Sequence, residues 1–226
     1  MVRGWHAGVL AAALALVSIA RADGPSGRVV SQPPPQSDPS ALYLFYLHGQ
    51  IVEEKGERPT HPRFGVYEYR AILDALAARG LLVISEARPR GTDIAAYAEK
   101  VAGQVRALRA GGVPAEHITV AGHSKGGAIA IAVSSQLGDP AVNYVILASC
   151  GSWLEAPEAP RLSGRVLSIV EASDDVAGSC AAALARAREG TRHEEVILHV
   201  GGGHGAFYRP LAEWVDPLVQ WAKPSP

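Results

Sequence analysis

The chain has 226 residues, of which 48% are hydrophobic and 19% are charged, and its formal net charge is −1. This length and apolar content suit one globular domain with a sizeable core. The near-neutral charge, with no block of like charges, gives no electrostatic reason to expect a nucleic-acid partner.

The first 22 residues have the pattern of a secretory signal peptide. Arg3 lies in a short N-terminal region, an apolar stretch runs from Val9 to Ala20, and the small-x-small pattern of a cleavage site ends at Ala22. The alternative is a membrane anchor, but the apolar stretch is short for a helix that spans a bilayer. We therefore expect cleavage after Ala22 and a secreted or periplasmic mature protein with no stable membrane insertion.

Residues 23–40 (DGPSGRVVSQPPPQSDPS) are rich in proline and serine. Such a composition cannot bury enough apolar surface to form a core. We therefore expect an extended linker at 23–40 and a folded domain at 41–226.

The folded region alternates between apolar runs and amphipathic patterns. Strands are predicted at 41–47, 81–86, 117–121, 143–149, 165–170 and 194–199. Helices are predicted at 67–79, 92–109, 125–137, 177–188 and 209–222, the second of them with Thr92 as its N-cap. Strands that are apolar nearly throughout and alternate with helices indicate an α/β fold. We expect a doubly wound, mainly parallel sheet of about six strands with helices on both faces.

The third predicted strand runs into the sequence GHSKGG, at 122–127, and then into a helix. A Gly-x-Ser-x-Gly pattern between a strand and a helix is typical of a nucleophile elbow, which holds its serine on a sharp, strained turn. Side chains at Gly122 and Gly126 would collide across such a turn. The alternative is a glycine-rich turn with a capping serine. We predict that Ser124 is a nucleophile and that the backbone N–H of Lys125 donates to an oxyanion.

Two later loops offer the partners that an activated serine needs, a base and an acid that orients the base. Asp174 and Asp175 follow the strand at 165–170, and His204 follows the last strand within GGGHG. The order Ser124, Asp174, His204 is the order of triad residues on a sheet of this type. Asp175 and, more remotely, Glu171 are alternatives, because one aspartate could merely cap the following helix.

The loop after the first predicted strand reads LHGQ. A backbone N–H from this loop usually completes an oxyanion hole, and Gln50 is the candidate beside Lys125. We interpret His48 as a packed loop residue that shapes the turn.

The motifs LHGQ, GHSKGG, SDD and GGGHG, in this order over residues 41–222, resemble the α/β-hydrolase superfamily. The resemblance implies a serine hydrolase that acts through an acyl-enzyme with no cofactor. Two opening strands of that fold are expected to be missing here. The short insertion at 150–164 implies a minimal, lidless member, and segment 50–66 is then the expected cover of the pocket.

Several charged residues could bind an anionic group of a substrate, but surface ion pairs with Glu68 and Glu86 are the preferred interpretation. The residues concerned are Arg58, His61, Arg63, Arg88 and Arg90. The Lys125 side chain is expected to be solvated.

Cys150 and Cys180 are the two cysteines. Export to an oxidising compartment favours a disulfide between them over two buried free thiols. The histidines show no metal-binding spacing, so no metal is predicted.

The function expected from these residues is hydrolysis of a small-molecule carboxylic ester. A thioesterase or peptidase with the same triad stays open, and so does an exported binding protein without turnover.

Overall fold

The structure is a computed structural model that describes residues 1–2 and 27–224. The predicted signal peptide lies outside the described residues, apart from Met1 and Val2, and stays a prediction.

A seven-stranded sheet forms the centre of the described part of the chain, and its neighbouring strands are all parallel. Its spatial order is β1-β5-β2-β6-β7-β8-β9, while β3 and β4 form a separate antiparallel pair. The strands are β1 (Arg28–Val30), β2 (Tyr43–Leu47), β3 (Thr60–His61), β4 (Gly65–Val66), β5 (Leu82–Ile84), β6 (Ile118–His123), β7 (Asn143–Leu147), β8 (Arg165–Glu171) and β9 (Arg192–Leu198).

Helices cover both faces of this sheet. Side chains of α3, α4 and α5 contribute to the core on one face, and those of α1, α2 and α6 to the core on the other. No helix of the described residues is long and apolar enough to cross a membrane. The helices are α1 (Gln50–Lys55), α2 (Tyr69–Ala77), α3 (Ile94–Ala110), α4 (Lys125–Leu137), α5 (Ala181–Ala185) and α6 (Ala212–Trp221).

Strand β2 shows why the central strands are apolar at most positions. Tyr43, Phe45 and Leu47 join the core on the α3 and α4 side, whereas Leu44 and Tyr46 join the core on the α2 and α6 side. Successive side chains of a strand point to opposite faces, so a strand covered on both faces is apolar at most positions rather than at alternate ones. The predicted doubly wound, mainly parallel sheet is confirmed.

The sheet begins earlier than the sequence predicted. Arg28–Val30 lies within the expected linker, yet it pairs in parallel with Leu82–Ile84 as an edge strand. Val29 packs partly against one core and Val30 against the other. The sheet predicted to have about six strands therefore has seven, and its paired segments start before residue 41.

Several helix termini also differ from the prediction. The Asp93 side chain accepts a hydrogen bond from the N–H of Ala96 at 2.8 Å and caps α3, whereas Thr92 Oγ1 donates to Pro89 O. The prediction of Thr92 as the cap was wrong by one position. Helix α5 covers only part of 177–188, while α4 has the predicted bounds.

A disulfide joins Cys150 to Cys180, with their Cα atoms 5.1 Å apart, and the predicted pairing is confirmed. The N–H of Gly178 donates to Cys150 O at 2.9 Å beside it. The bond thereby ties the segment after β7 to the loop after β8.

Candidate active site

Ser124 lies on a strained turn between β6 and α4, with φ of 55° and ψ of −122°. Such a backbone costs a residue other than glycine about 1–3 kcal/mol and persists only where its surroundings fix it. The N–H of Ser124 donates to Leu147 O at 3.0 Å, and Ser124 O accepts from Ser149 Oγ at 2.7 Å. These contacts with the end of β7 hold the turn in place.

Two glycines let the turn form. A Cβ atom at Gly122 would lie 2.2 Å from Gly126 O, and one at Gly126 would lie 1.9 Å from Leu47 O. No side chain fits at either position, so both must be glycine, as the Gly-x-Ser-x-Gly pattern predicted.

His204 and Asp174 meet at the carboxyl edge of the sheet. His204 Nδ1 lies 2.9 Å from Asp174 Oδ2, and the two side chains are 7% and 0% exposed. Asp174 Oδ1 also accepts from the N–H groups of Val176 at 2.8 Å and Ala177 at 3.1 Å. Burial would raise the pKa of Asp174, but the hydrogen bonds from His204 and from these N–H groups outweigh it and hold the pKa below its ordinary value.

The two alternative acids lie elsewhere. Asp175 is exposed and forms an ion pair with Arg63 at 3.0 Å. Glu171 is buried and accepts hydrogen bonds from the N–H groups of Ser173 at 2.8 Å and Gly201 at 3.0 Å. It therefore ties the Asp174 loop to the His204 loop, and the hydrogen bond from the Ser173 side chain is the main cause of its lowered pKa.

Ser124 and His204 line the same cleft, of about 500 Å³. The hydrogen bonds within the described residues do not include one between Ser124 Oγ and the His204 ring. Such bonds are often long without a bound substrate and tighten when it binds.

Gln50 and Lys125, the two predicted oxyanion donors, also line this cleft. Each is the first residue of a helix, α1 or α4, where a backbone N–H has no partner within the helix. The N-terminus of the 13-residue α4 adds a partial positive charge beside Ser124. The arrangement can therefore stabilise negative charge that develops at a carbonyl oxygen next to the serine.

A buried carboxylate lies behind these two donors. Glu53 Oε2 accepts from Lys125 Nζ at 2.6 Å, and Glu53 Oε1 accepts from Arg88 Nε at 2.8 Å. The side chains of Glu53 and Arg88 are each 1% exposed, and that of Lys125 is 15% exposed. The expectations of a solvated Lys125 and of a surface ion pair for Arg88 were therefore wrong, because both cations pair with a carboxylate inside the protein.

His48 is buried beside this network, as predicted for a residue that shapes the turn. Its Nδ1 lies 2.9 Å from Gly49 O, and its Nε2 accepts from the N–H of Arg88 at 2.9 Å. Burial, and then the charge of Arg88, lowers the pKa of His48 to about 3. The ring is neutral, with its proton on Nδ1.

The expected cover of the cleft, segment 50–66, contributes little to its walls. Within the expected cover, 50–66, Gln50 is the residue that lines the cleft; the walls come from Ala148–Trp153 and Val176–Ala177. Phe64, in the same segment, instead packs beside the His204 loop, since its ring lies 5.9 Å from the His204 ring. The charged residues Arg58, His61, Arg63, Arg88 and Arg90 are not among those that line the cleft.

Sequence reasoning missed Glu53 and Ser149. Glu53 stands in the polar run EEK, which is typical of an exposed helix face, and Ser149 is an ordinary serine after a strand.

Within the described residues, no cluster of three or more histidine, cysteine, aspartate or glutamate residues could hold a metal ion.

Comparison with known proteins gives a match in structure alone. No protein-family model matches the chain, and no curated protein matches it by sequence. An esterase/lipase from an uncultured bacterium is 15% identical with a TM-score of 0.54, over 91% of this chain and 85% of that one. The structure of EstE5 is 15% identical with a TM-score of 0.52, over 83% of this chain and 77% of that one. A sugar hydrolase (YeeB) from Lactococcus lactis is 12% identical with a TM-score of 0.51, over 85% of this chain and 91% of that one.

These likenesses confirm the predicted fold. The chain has the α/β-hydrolase fold, with a central parallel sheet, helices on both faces and no evident cap within the described residues.

Proposed function

We propose that this protein is an exported serine hydrolase that cleaves carboxylic esters through an acyl-enzyme. One observation carries the proposal. The strained Ser124 and His204, which is paired with the buried Asp174, border one cleft, together with two backbone N–H groups that have no helical partner. The fold's neighbours include proteins named as an esterase/lipase and a sugar hydrolase, which supports hydrolysis as the reaction class.

In the first half of the reaction, Ser124 Oγ attacks the ester carbonyl while His204 Nε2 takes the hydroxyl proton. The carbonyl π electrons move to oxygen, and the N–H groups of Gln50 and Lys125 donate to the resulting oxyanion. Asp174 holds the proton of His204 on Nδ1, leaving Nε2 free as the base, and stabilises the imidazolium that forms. The intermediate then collapses, the C–O bond to the alcohol breaks, and His204 returns the proton to the leaving alkoxide.

Water completes the cycle. His204 takes a proton from a water molecule, whose oxygen attacks the acyl carbonyl of the Ser124 ester. The second intermediate releases the carboxylic acid, and Ser124 Oγ regains its proton from His204.

The intramolecular disulfide suits an oxidising compartment and supports export.

Labelling with a fluorophosphonate probe tests the nucleophile directly. We expect the probe on Ser124, identified by peptide mass spectrometry, and no label in His204→Ala. Ser152→Ala is the matched control, because Ser152 lines the same cleft and no base is assigned to it. Absence of label on folded wild-type protein would contradict the proposal and favour a binding protein without turnover.

A further inference from the structure

Exposed apolar side chains gather at the cleft. Between residues 27 and 224, five large apolar side chains are exposed: Ile94, Trp153, Val176, Ile197 and Val200. The first three line the cleft that Ser124 borders. Single exposed apolar residues are normal on a surface, but a cluster of them around one concave site is typical of a binding surface.

The apolar cluster is attached to the elements that hold the site. Trp153 Nε1 donates to Ser149 O at 3.3 Å, and Ser149 Oγ in turn binds Ser124 O. On the other side, the N–H of Val176 donates to the carboxylate of Asp174 at 2.8 Å. The Cys150–Cys180 bond joins the two segments that carry Trp153 and Val176. The Trp153 side chain and the backbone of Val176 are therefore held in position relative to Ser124 before any ligand binds, which lowers the cost of ordering on binding.

The charges at the cleft argue against an anionic substrate. Among the described residues that line the cleft, Lys125 is the single lysine or arginine. Its Nζ is already bound to Glu53. A substrate carboxylate would thus lose water without gaining an unpaired cation, which is unfavourable.

The next inference rests on the proposed function. We propose that Ile94, Trp153 and Val176 form the subsite that binds an apolar, uncharged alkyl or aryl group on one side of the scissile ester. The preferred substrates are neutral esters with such a group. A methylene that the subsite buries completely raises the affinity by as much as about fourfold. In an open cleft, where a methylene is only partly buried, the gain in affinity is about twofold.

Two series of esters determine on which side of the scissile ester the apolar group binds. In one, kcat/KM is measured for p-nitrophenyl acetate, butyrate and hexanoate; in the other, for methyl, butyl and hexyl acetate by titration of released acid. We expect kcat/KM to rise at least fivefold along one of the two series. Trp153→Ala should remove most of that rise, whereas Ile197→Ala should keep it, since Ile197 is an exposed apolar residue outside the cleft. The p-nitrophenyl monoester of succinic acid should react at least tenfold more slowly than the butyrate.

Flat kcat/KM along both series, or a rise retained in Trp153→Ala, would overturn the subsite. If no ester is turned over, binding of p-nitrophenyl acetate and hexanoate to Ser124→Ala decides the matter by calorimetry. Tighter binding of the hexanoate, lost in the Ser124→Ala, Trp153→Ala double variant, would support the subsite while the proposed hydrolysis fails. Equal binding of the two esters would overturn the subsite as well.

Discussion

Glu53 Oε2 lies 2.6 Å from Lys125 Nζ, and this contact joins the two loops that supply the proposed oxyanion donors. Glu53 sits three residues after Gln50 in α1, and Lys125 follows Ser124 at the start of α4. Arg88, which the same carboxylate binds, also donates to His48 O just before Gly49 and Gln50. We therefore expect Glu53 to position the N–H of Gln50 relative to Ser124, although it does not line the cleft itself.

Glu53→Gln should lower kcat about tenfold or more and leave KM within about threefold, because a misplaced oxyanion donor weakens the transition state more than the ground state. The variant should also lose about 3–5 kcal/mol of stability, because Arg88 and Lys125 lose the carboxylate that neutralises them. Rates are therefore compared at a temperature at which circular dichroism shows both proteins folded.

Glu99→Gln is the control, since Glu99 is an exposed carboxylate that pairs with Arg106 on α3 and does not line the cleft. It should retain kcat and stability near those of the wild type. A folded Glu53→Gln protein with wild-type kcat would contradict the positioning role.

Gly126→Ala should abolish the elbow, because the added Cβ would lie 1.9 Å from the backbone oxygen of Leu47. We expect loss of fluorophosphonate labelling together with a stability loss of several kcal/mol, at the high end of single substitutions of about 0.5–3 kcal/mol. Urea unfolding and labelling measure the two effects.

Gly103→Ala makes the same chemical change inside α3, where a Cβ would meet nothing within 4 Å. Alanine favours a helix over glycine by about 0.8–1.0 kcal/mol, so this variant should be more stable than the wild type and fully labelled. Equal stability of the two alanine variants would show that the steric argument at Gly126 is wrong.

What the sequence could predict was local. The glycines of GHSKGG leave the space that a tight turn at Ser124 needs, so the elbow was predictable. Central strands buried on both faces are apolar at most positions, so the parallel sheet was predictable too. Glu53 was not, because its burial depends on Arg88 and Lys125, which lie 35 and 72 residues further along the chain. The edge strand Arg28–Val30 was missed because three residues between proline-rich stretches give no periodic pattern.

Removing the disulfide, as in the Cys150→Ser, Cys180→Ser double variant, should destabilise the protein. The bond closes a loop with a sequence separation of 30, and a cross-link of this length contributes about 3–4 kcal/mol on the chain-entropy model. The urea midpoint of the double variant should fall accordingly. An unchanged midpoint would mean that the contacts around Gly178 and Cys150 fix the two segments without the bond.

Stability should fall as pH drops below about 6.5, because the folded protein holds His48 neutral. The pKa of His48 is lowered to about 3 from an ordinary value of 6.5, so between these values the unfolded chain takes up a proton that the folded protein does not bind. That difference costs about 1.4 kcal/mol of stability per pH unit for one histidine. Buried His123, whose pKa is also lowered by burial, adds a loss of the same sign. At pH 5 and above, the acids contribute little, because the lowered pKa values of Asp174 and Glu171 affect stability only near and below their ordinary values of 3.8 and 4.5.

Urea unfolding at pH 7, 6 and 5 measures this slope, and His48→Gln assigns it. A glutamine can still accept from the N–H of Arg88 and donate to Gly49 O, but it does not titrate. The variant should be less stable at pH 7, since an imperfect substitute lies in a packed site, and its slope should be smaller by about 1.4 kcal/mol per pH unit. An identical slope in the two proteins would mean that His48 takes up its proton in the folded state, which the Arg88 N–H that donates to its Nε2 opposes.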